Sequence, residues 1–172
     1  LDYHGDMYTY GAAKAKLFAR SGLRAAVINR DDEFGRKLLK SLPAKLRGIG
    51  ISASGDASAD VAATNVVLDA RGIRFDLRIG DRTRAVQSPL LGRFNIDNLL
   101  TVAGVLLAEG RGFTEIVDVL ESLQPVAGRM NRLGGDGVLP LVVIDYSHKP
   151  DPLEQALQSL RAHLKGELTC VF

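Results

Sequence analysis

The order in which the apolar segments change character constrains this chain more than any single motif. Ala25 to Asn29 is a short apolar run, followed at once by Asp31-Asp32 and a stretch of helical composition that ends near Leu42, where Pro43 follows. A strand that hands over directly to a capped helix is the building unit of α/β architecture. Asp31 and Asp32 suit the N-cap and first turn of that helix, where carboxylates meet open N–H groups and the positive end of the helix dipole. Capping is therefore favoured over a catalytic carboxylate pair. The same order returns near the far end. Leu141 to Asp145 is a continuous apolar run ending in a carboxylate, the pattern of a buried parallel strand. A proline-containing loop (Ser147 to Pro152), an amphipathic helix over Leu153 to His163 and a strand over Glu167 to Phe172 then complete a predicted βαβ unit.

The middle of the chain has a different style. Asn65 to Asp69, Ile73 to Ile79 and Arg82 to Gln87 are short, partly alternating segments separated by Arg71-Gly72 and Gly80-Asp81, which is hairpin chemistry. They predict an antiparallel section. Helices are predicted over Tyr8 to Arg20, rich in alanine and long side chains, over Ile96 to Glu109, and over Thr114 to Leu123 with Thr114 as cap. In the second of these, positions 99, 100, 102, 103, 106 and 107 form one apolar stripe. Pro125 to Gly137 is glycine-rich and lacks periodicity, so a boundary belongs there. The expected division is 1–127, a linker over 128–138, and a second α/β unit over 139–172.

Composition narrows the function. Lys plus Arg total 22 and Asp plus Glu total 20, a formal charge of +2 with no basic tract for nucleic acid. The longest apolar runs are too short to span a bilayer. The single cysteine, Cys170, excludes an internal disulfide framework and fits a reducing, cytoplasmic compartment. With no acid–base partner beside it in sequence, it is expected to be a buried strand residue and not a nucleophile. Residue 1 is Leu and not Met, and Leu168 to Phe172 reads as a strand with nothing after it. The chain is expected to be a piece of a longer protein.

No complete generic catalytic motif is present: there is no Gly-x-x-x-x-Gly-Lys-Ser/Thr loop, no His-Glu-x-x-His and no Cys-x-x-Cys. Five segments taken in order say more. They are Leu1-Asp2-Tyr3-His4-Gly5-Asp6-Met7 with Tyr10-Gly11-Ala12-Ala13-Lys14; Asn29-Arg30-Asp31-Asp32; Gly92 to Leu100; Gly128-Arg129-Met130; and Asp145-Tyr146-Ser147-His148-Lys149-Pro150-Asp151. Together they resemble the Mur ligases, and within them the members that add the third peptide residue. The resemblance covers nearly the whole chain and loosens between about Ser52 and Gln87. It implies an α/β fold made of part of a central ATPase domain, with a mixed sheet, helices and a small antiparallel section. The first βαβ unit of a Rossmann-like C-terminal domain would follow.

The resemblance also implies a reaction. ATP phosphorylates the γ-carboxylate of D-Glu in UDP-N-acetylmuramoyl-L-Ala-D-Glu. An amine of meso-diaminopimelate, or of L-lysine, then attacks the acyl phosphate, and tripeptide, ADP and phosphate are released. ATP and Mg²⁺ are the implied cofactors, and a cytoplasmic monomer without nucleic-acid or membrane partners is the implied setting.

The resemblance carries roles onto particular residues. Lys14 matches a lysine that becomes a carbamate, turning a cation into an anionic oxygen ligand for Mg²⁺; read alone, it is a solvated lysine on a helix. His4 is either a metal contact or a packing residue. Asn95 and Asn98, three apart at a helix head, would contact adenine, while Asn95 could equally cap the helix. Arg129 would reach ATP from the linker or form a surface salt bridge. Asp145 would sit near the nucleotide and the hinge, or simply cap its loop. His148 would face the substrate cleft. Ser147, Lys149 and Asn131 depart from the family pattern.

The phosphate-binding loop of the family would lie before Leu1 and its diaminopimelate-selecting motif after Phe172. The 172 residues alone are therefore expected to lack ligase activity. The alternatives are another Mur or folylpolyglutamate-type ligase, or a non-catalytic α/β binding module.

Overall fold

The computed structural model describes residues 6–135 and 137–172. Helix α1 (Met7–Ala15) starts where Asp6 accepts a hydrogen bond from the Thr9 N–H at 2.7 Å, and tightens into a 3-10 turn over Lys16–Ala19. Strand β1 (Ala25–Asn29) then leads into α2 (Glu33–Ser41), capped by Asp32, whose carboxylate accepts from the Gly35 N–H at 2.6 Å. A Cβ on Gly35 would stand 1.6 Å from the Asn29 carbonyl oxygen, so only glycine lets the helix begin this close to the strand end.

Strand β2 (Arg47–Ser52) pairs in parallel with β1, from Ala25 opposite Arg47 to Asn29 opposite Ile51. The sequence reading did not single out β2, because Gly48 and Gly50 break its apolar run. The structure explains them. They face α2, where Leu39 and Leu42 close in on Gly48, while Ile49 and Ile51 on the other face are buried.

Strands β3 (Val61–Asp69), β4 (Gly72–Ile79) and β5 (Arg82–Ser88) complete a five-stranded sheet in sequential order. β3 is parallel to β2, and the last three strands are antiparallel hairpins, as their turn residues predict. β3 begins earlier than expected, at Val61. Its register with β4 shifts between Thr64 and Val67, where Asn65 adopts a φ of 51° and its amide donates to Asp76 at 2.7 Å.

Helices α3 (Phe94–Ala108) and α4 (Phe113–Ser122) belong to the same core as this sheet. Ile96, Leu99, Leu100 and Ala103 of α3, with Ile116, Val117 and Leu120 of α4, join Ile49, Ile51, Phe75, Leu77 and Val86. Full burial of each large apolar side chain is worth about 1.5–3 kcal/mol. The expected cap at Thr114 is not made. Gly112 holds the N-cap position of α4 without a side-chain hydrogen bond, and Thr114 lies within the first turn.

A smaller assembly follows. β6 (Asn131–Leu133) and β7 (Val142–Ile144) form a two-stranded ladder, and α5 (Pro150–Arg161) packs Ala156 and Leu160 with Leu91 and Met130. Here the structure departs from the sequence reading. β7 pairs antiparallel with β6, and Glu167 to Phe172 joins no ladder among the described residues, so the parallel βαβ pairing is not made. An apolar run becomes a buried parallel strand only when a neighbour pairs with it and both faces are covered. β7 has one short antiparallel neighbour and no covered pair of faces, and Val142 and Ile144 stay half exposed. Cys170 is likewise exposed and not a buried strand residue.

Candidate functional site

The turn Leu91 to Arg93 launches α3 and shapes one wall of a cavity of about 920 Å³. Gly92 is buried with φ 88°, and a Cβ there would strike the Phe94 ring at 2.5 Å, so the sharp turn requires glycine. The linker before β6 and one face of α5 form the other walls. Asn95, Asn98, Arg129 and Asp145, far apart in sequence, all line this one cavity.

The two asparagines differ in what they have left to offer. Asn95 is not the helix cap, a position that Arg93 holds. Its Nδ2 donates to the Leu91 carbonyl at 2.7 Å and its Oδ1 accepts from Asn98 Nδ2 at 2.9 Å, so its amide is engaged at both ends. Asn98 is exposed, and its own Oδ1 has no hydrogen-bond partner among the described residues.

Asp145 is a fastener as well as a lining residue. One oxygen accepts from the Ser147 N–H at 2.9 Å and from the Ser147 hydroxyl; the other accepts from the Met130 N–H at 3.0 Å. Burial alone would raise its carboxyl. The Ser147 hydroxyl, the Met130 and Ser147 N–H groups and the nearby Arg129 charge outweigh that and hold it below the ordinary carboxylate range. The Met130 bond fixes a buried methionine at φ 49°, a left-handed conformation that costs on the order of 1 kcal/mol. The Tyr146 N–H donates to the Gly128 carbonyl at 2.8 Å and ties the same two loops together again. Arg129 places its guanidinium 6.0 Å from the Tyr146 ring centroid and makes no ion pair among the described residues.

The remaining expected site residues lie elsewhere. His148 is exposed outside the cavity lining, with Nδ1 3.0 Å from the Tyr146 carbonyl and its ring edge-on to Tyr146 at 5.0 Å. Lys14 is exposed on α1, its Nζ 4.6 Å from the Tyr10 ring centroid, and does not line the cavity. His4 lies outside the described residues.

A second polar cluster escaped the sequence reading. The sequence favours capping for both Asp31 and Asp32, but only Asp32 caps. Asp31 turns to the end of β2, where it accepts from Ser52 Oγ at 2.6 Å, Ser54 Oγ at 2.7 Å, the Ala53 N–H at 2.8 Å and the Ser54 N–H at 3.1 Å. Burial pushes its carboxyl up, but these four donors pull it below the ordinary range. Asn29 joins the cluster to α3. Its Oδ1 accepts from the Asp31 N–H at 2.8 Å, and its Nδ2 donates to Asp97 at 3.0 Å. Burial, then the charge of Asp31, raises the Asp97 carboxyl. All of these groups meet at the C-terminal ends of β1 and β2, the edge at which open α/β sheets place ligands. That positional rule, applied to Asp31 and to Ser52-x-Ser54, was the signal available in the sequence.

A mixed-sheet α/β unit with a polar-rimmed cavity at a helix head is the class that fold and site define. Residues 1–106 match the family described as the Mur ligase middle domain. Along its full length the chain is 59% identical to the UDP-N-acetylmuramoyl-L-alanyl-D-glutamate--2,6-diaminopimelate ligase of Xanthomonas campestris pv. campestris (strain 8004), covering 35% of that protein. A solved structure of a ligase with the same description superposes with a TM-score of 0.80 at 34% identity, over 95% of this chain and 34% of the other. The MurF ligase of Thermotoga maritima in complex with ADP shares the fold, with a TM-score of 0.71 at 20% identity over 93% of this chain and 36% of that one. The chain belongs to the Mur ligase family. It spans about a third of the length of the relatives it matches.

Proposed function

We propose that this chain carries the adenosine side of the nucleotide site of an ATP-dependent ligase of peptidoglycan precursor synthesis. The observation that carries the reading is the convergence of Asn95, Asn98, Arg129 and Asp145 on one cavity of about 920 Å³. Its chemistry suits a nucleoside. An exposed amide can read the edge of a base, a guanidinium can meet phosphate charge, and an ionised carboxylate can accept from a ribose hydroxyl. That a Mur ligase relative was solved with ADP supports nucleotide binding here.

In the complete protein the substrates are UDP-N-acetylmuramoyl-L-Ala-D-Glu and meso-diaminopimelate, a choice supported by the names of the relatives at 59% and 34% identity. The γ-carboxylate takes the terminal phosphoryl group of ATP and releases ADP. The diaminopimelate amine displaces phosphate, forms the amide and loses a proton. His148, in the loop after Asp145, faces the substrate cleft in this reading. The divisions 1–127, 128–138 and 139–172 remain its domain boundaries, and a cytoplasmic monomer its setting. No helix among the described residues is long and apolar enough to cross a membrane.

Unmodified, the described residues do not fit Mg²⁺. They form no cluster of three or more His, Cys, Asp or Glu side chains, and Lys14 is itself a cation. A carbamate on Lys14 would supply the oxygen ligands that such an ion prefers.

The test is calorimetric titration of ADP into the complete protein. Asn98→Ala is expected to weaken ADP binding about tenfold, the value of one good hydrogen bond. Because Asn98 is exposed, its melting temperature should stay unchanged. Failure of the wild-type protein to bind ADP, or an unchanged affinity in Asn98→Ala, would overturn the reading. Faster ligation with L-lysine than with diaminopimelate would overturn the substrate assignment alone.

A further inference from the structure

Of the two histidines among the described residues, His148 is exposed and His163 is buried, 5% exposed just past the end of α5. It packs beside α5 residues that line the cavity, yet its ring reaches across to two other parts of the molecule. Nε2 lies 2.8 Å from the backbone nitrogen of Gly92, and Nδ1 lies 2.8 Å from the carbonyl of Asp69, the last residue of β3.

These two contacts determine where the proton sits. The Gly92 N–H can only donate, so Nε2 must be an unprotonated acceptor. The Asp69 carbonyl can only accept, so Nδ1 must carry the hydrogen. His163 is held as the neutral Nδ1–H tautomer, with both ring nitrogens used. No protonated imidazole can make this pair of bonds, and few other side chains of this size can.

The bond to Gly92 matters because of what Gly92 does. It forms the tight turn that sets the start of α3 and, three and six residues on, the positions of Asn95 and Asn98. The Asn95 N–H donates to the Gly92 carbonyl at 3.0 Å, and Asn95 Nδ2 returns to the Leu91 carbonyl. A group just past the end of α5 thus grips the turn from which the asparagine wall of the cavity is built, while Ser159 and Ala162 near it line the opposite wall.

We propose that His163 is a positioning residue for nucleotide binding, which sets the separation of the α3 and α5 walls through the Gly92 N–H. The inference rests on the nucleotide reading of the cavity given above. His163 does not line the cavity; it acts through the turn.

Two substitutions divide its two bonds. His163→Gln can offer Oε1 near the position of Nε2, so it keeps an acceptor for Gly92 and gives up the donor to Asp69. His163→Asn can offer Nδ2 near the position of Nδ1, so it keeps the Asp69 bond and strands the buried Gly92 N–H. In the complete protein, His163→Asn is expected to raise KM for ATP about tenfold, the loss expected when a buried donor is left without its partner. His163→Gln should stay within about threefold of wild type, and kcat should change less than KM in both. A role in packing alone predicts equal losses that follow the melting temperatures of the two variants.

An Asn variant that binds ATP as well as the Gln variant overturns the proposal. So does a ¹⁵N spectrum of the wild-type protein that shows a protonated Nε2, whatever the nucleotide data say. If wild-type protein binds no nucleotide, the reading of the cavity falls and the positioning role falls with it. The ¹⁵N tautomer signature still judges the Gly92 bond by itself, which keeps the two failures distinguishable.

Discussion

The five-stranded sheet and the two-stranded ladder are both written in Val, Ile and Leu, yet they reach opposite conditions. Phe75 and Leu77 on β4 are fully buried, whereas Val142 and Ile144 on β7 remain 50% and 49% exposed. The difference is cover. β4 has a hydrogen-bonded neighbour on each side and shares its core with α3 and α4. β7 has one neighbour of three residues, and only Val143 between its exposed positions packs against a small core. Apolar content makes a strand possible, but covered faces make it stable.

The largest test of this contrast is Phe75→Ala. It should lower the unfolding free energy by about 3–5 kcal/mol, the cost of emptying a filled aromatic site. Urea denaturation checks this, and a loss below about 1 kcal/mol would mean that the sheet core is no better packed than the ladder.

A smaller effect is expected at Asp31, where the sheet is held by polar contacts. Asp31→Asn keeps one acceptor but sets an amide against the Ala53 and Ser54 N–H groups, at a cost of about 1–3 kcal/mol. The pH dependence follows from the lowered carboxyl of Asp31. A group held lower in the folded than in the unfolded state contributes stability above its unfolded value. That contribution is lost as pH falls through the folded value. The gap between wild type and Asp31→Asn should therefore be full at neutral pH and close in strong acid. A gap that widens in acid would reverse the assignment.

The smallest effect belongs to the ladder. Ile144→Thr exchanges one β-branched residue for another at a half-exposed position, and should change stability by less than about 0.5 kcal/mol. A loss comparable to that of Phe75→Ala would show that this face is covered in solution.

Much of the fold was legible in the residues because it depends on local chemistry. Asp32 caps α2, Gly72 and Gly80 turn the hairpins, and the stripe from Leu99 to Leu107 forms one helix. β2 was hidden because its glycines serve close packing against α2, which no short-range pattern reveals. Asp31 reads as a cap in the sequence because two adjacent aspartates look alike until the end of β2 arrives beside one of them. The site was legible in part. Asn95, Asn98, Arg129 and Asp145 were each singled out from their own segments, but that they share a cavity is a property of the folded chain.

The sequence by itself determined the class of architecture, the hairpin section, the family and the residues worth asking about. Those rest on periodicity, turn residues and motif order, all of which act over a few residues at a time. Only the tertiary structure decided which strands are paired and covered. It also decided which aspartate is a cap and which a fastener, and that a histidine at position 163 grips a glycine at position 92. These are contacts between distant segments. The chain forms them only once burial has brought the segments together and left each buried polar group needing a partner.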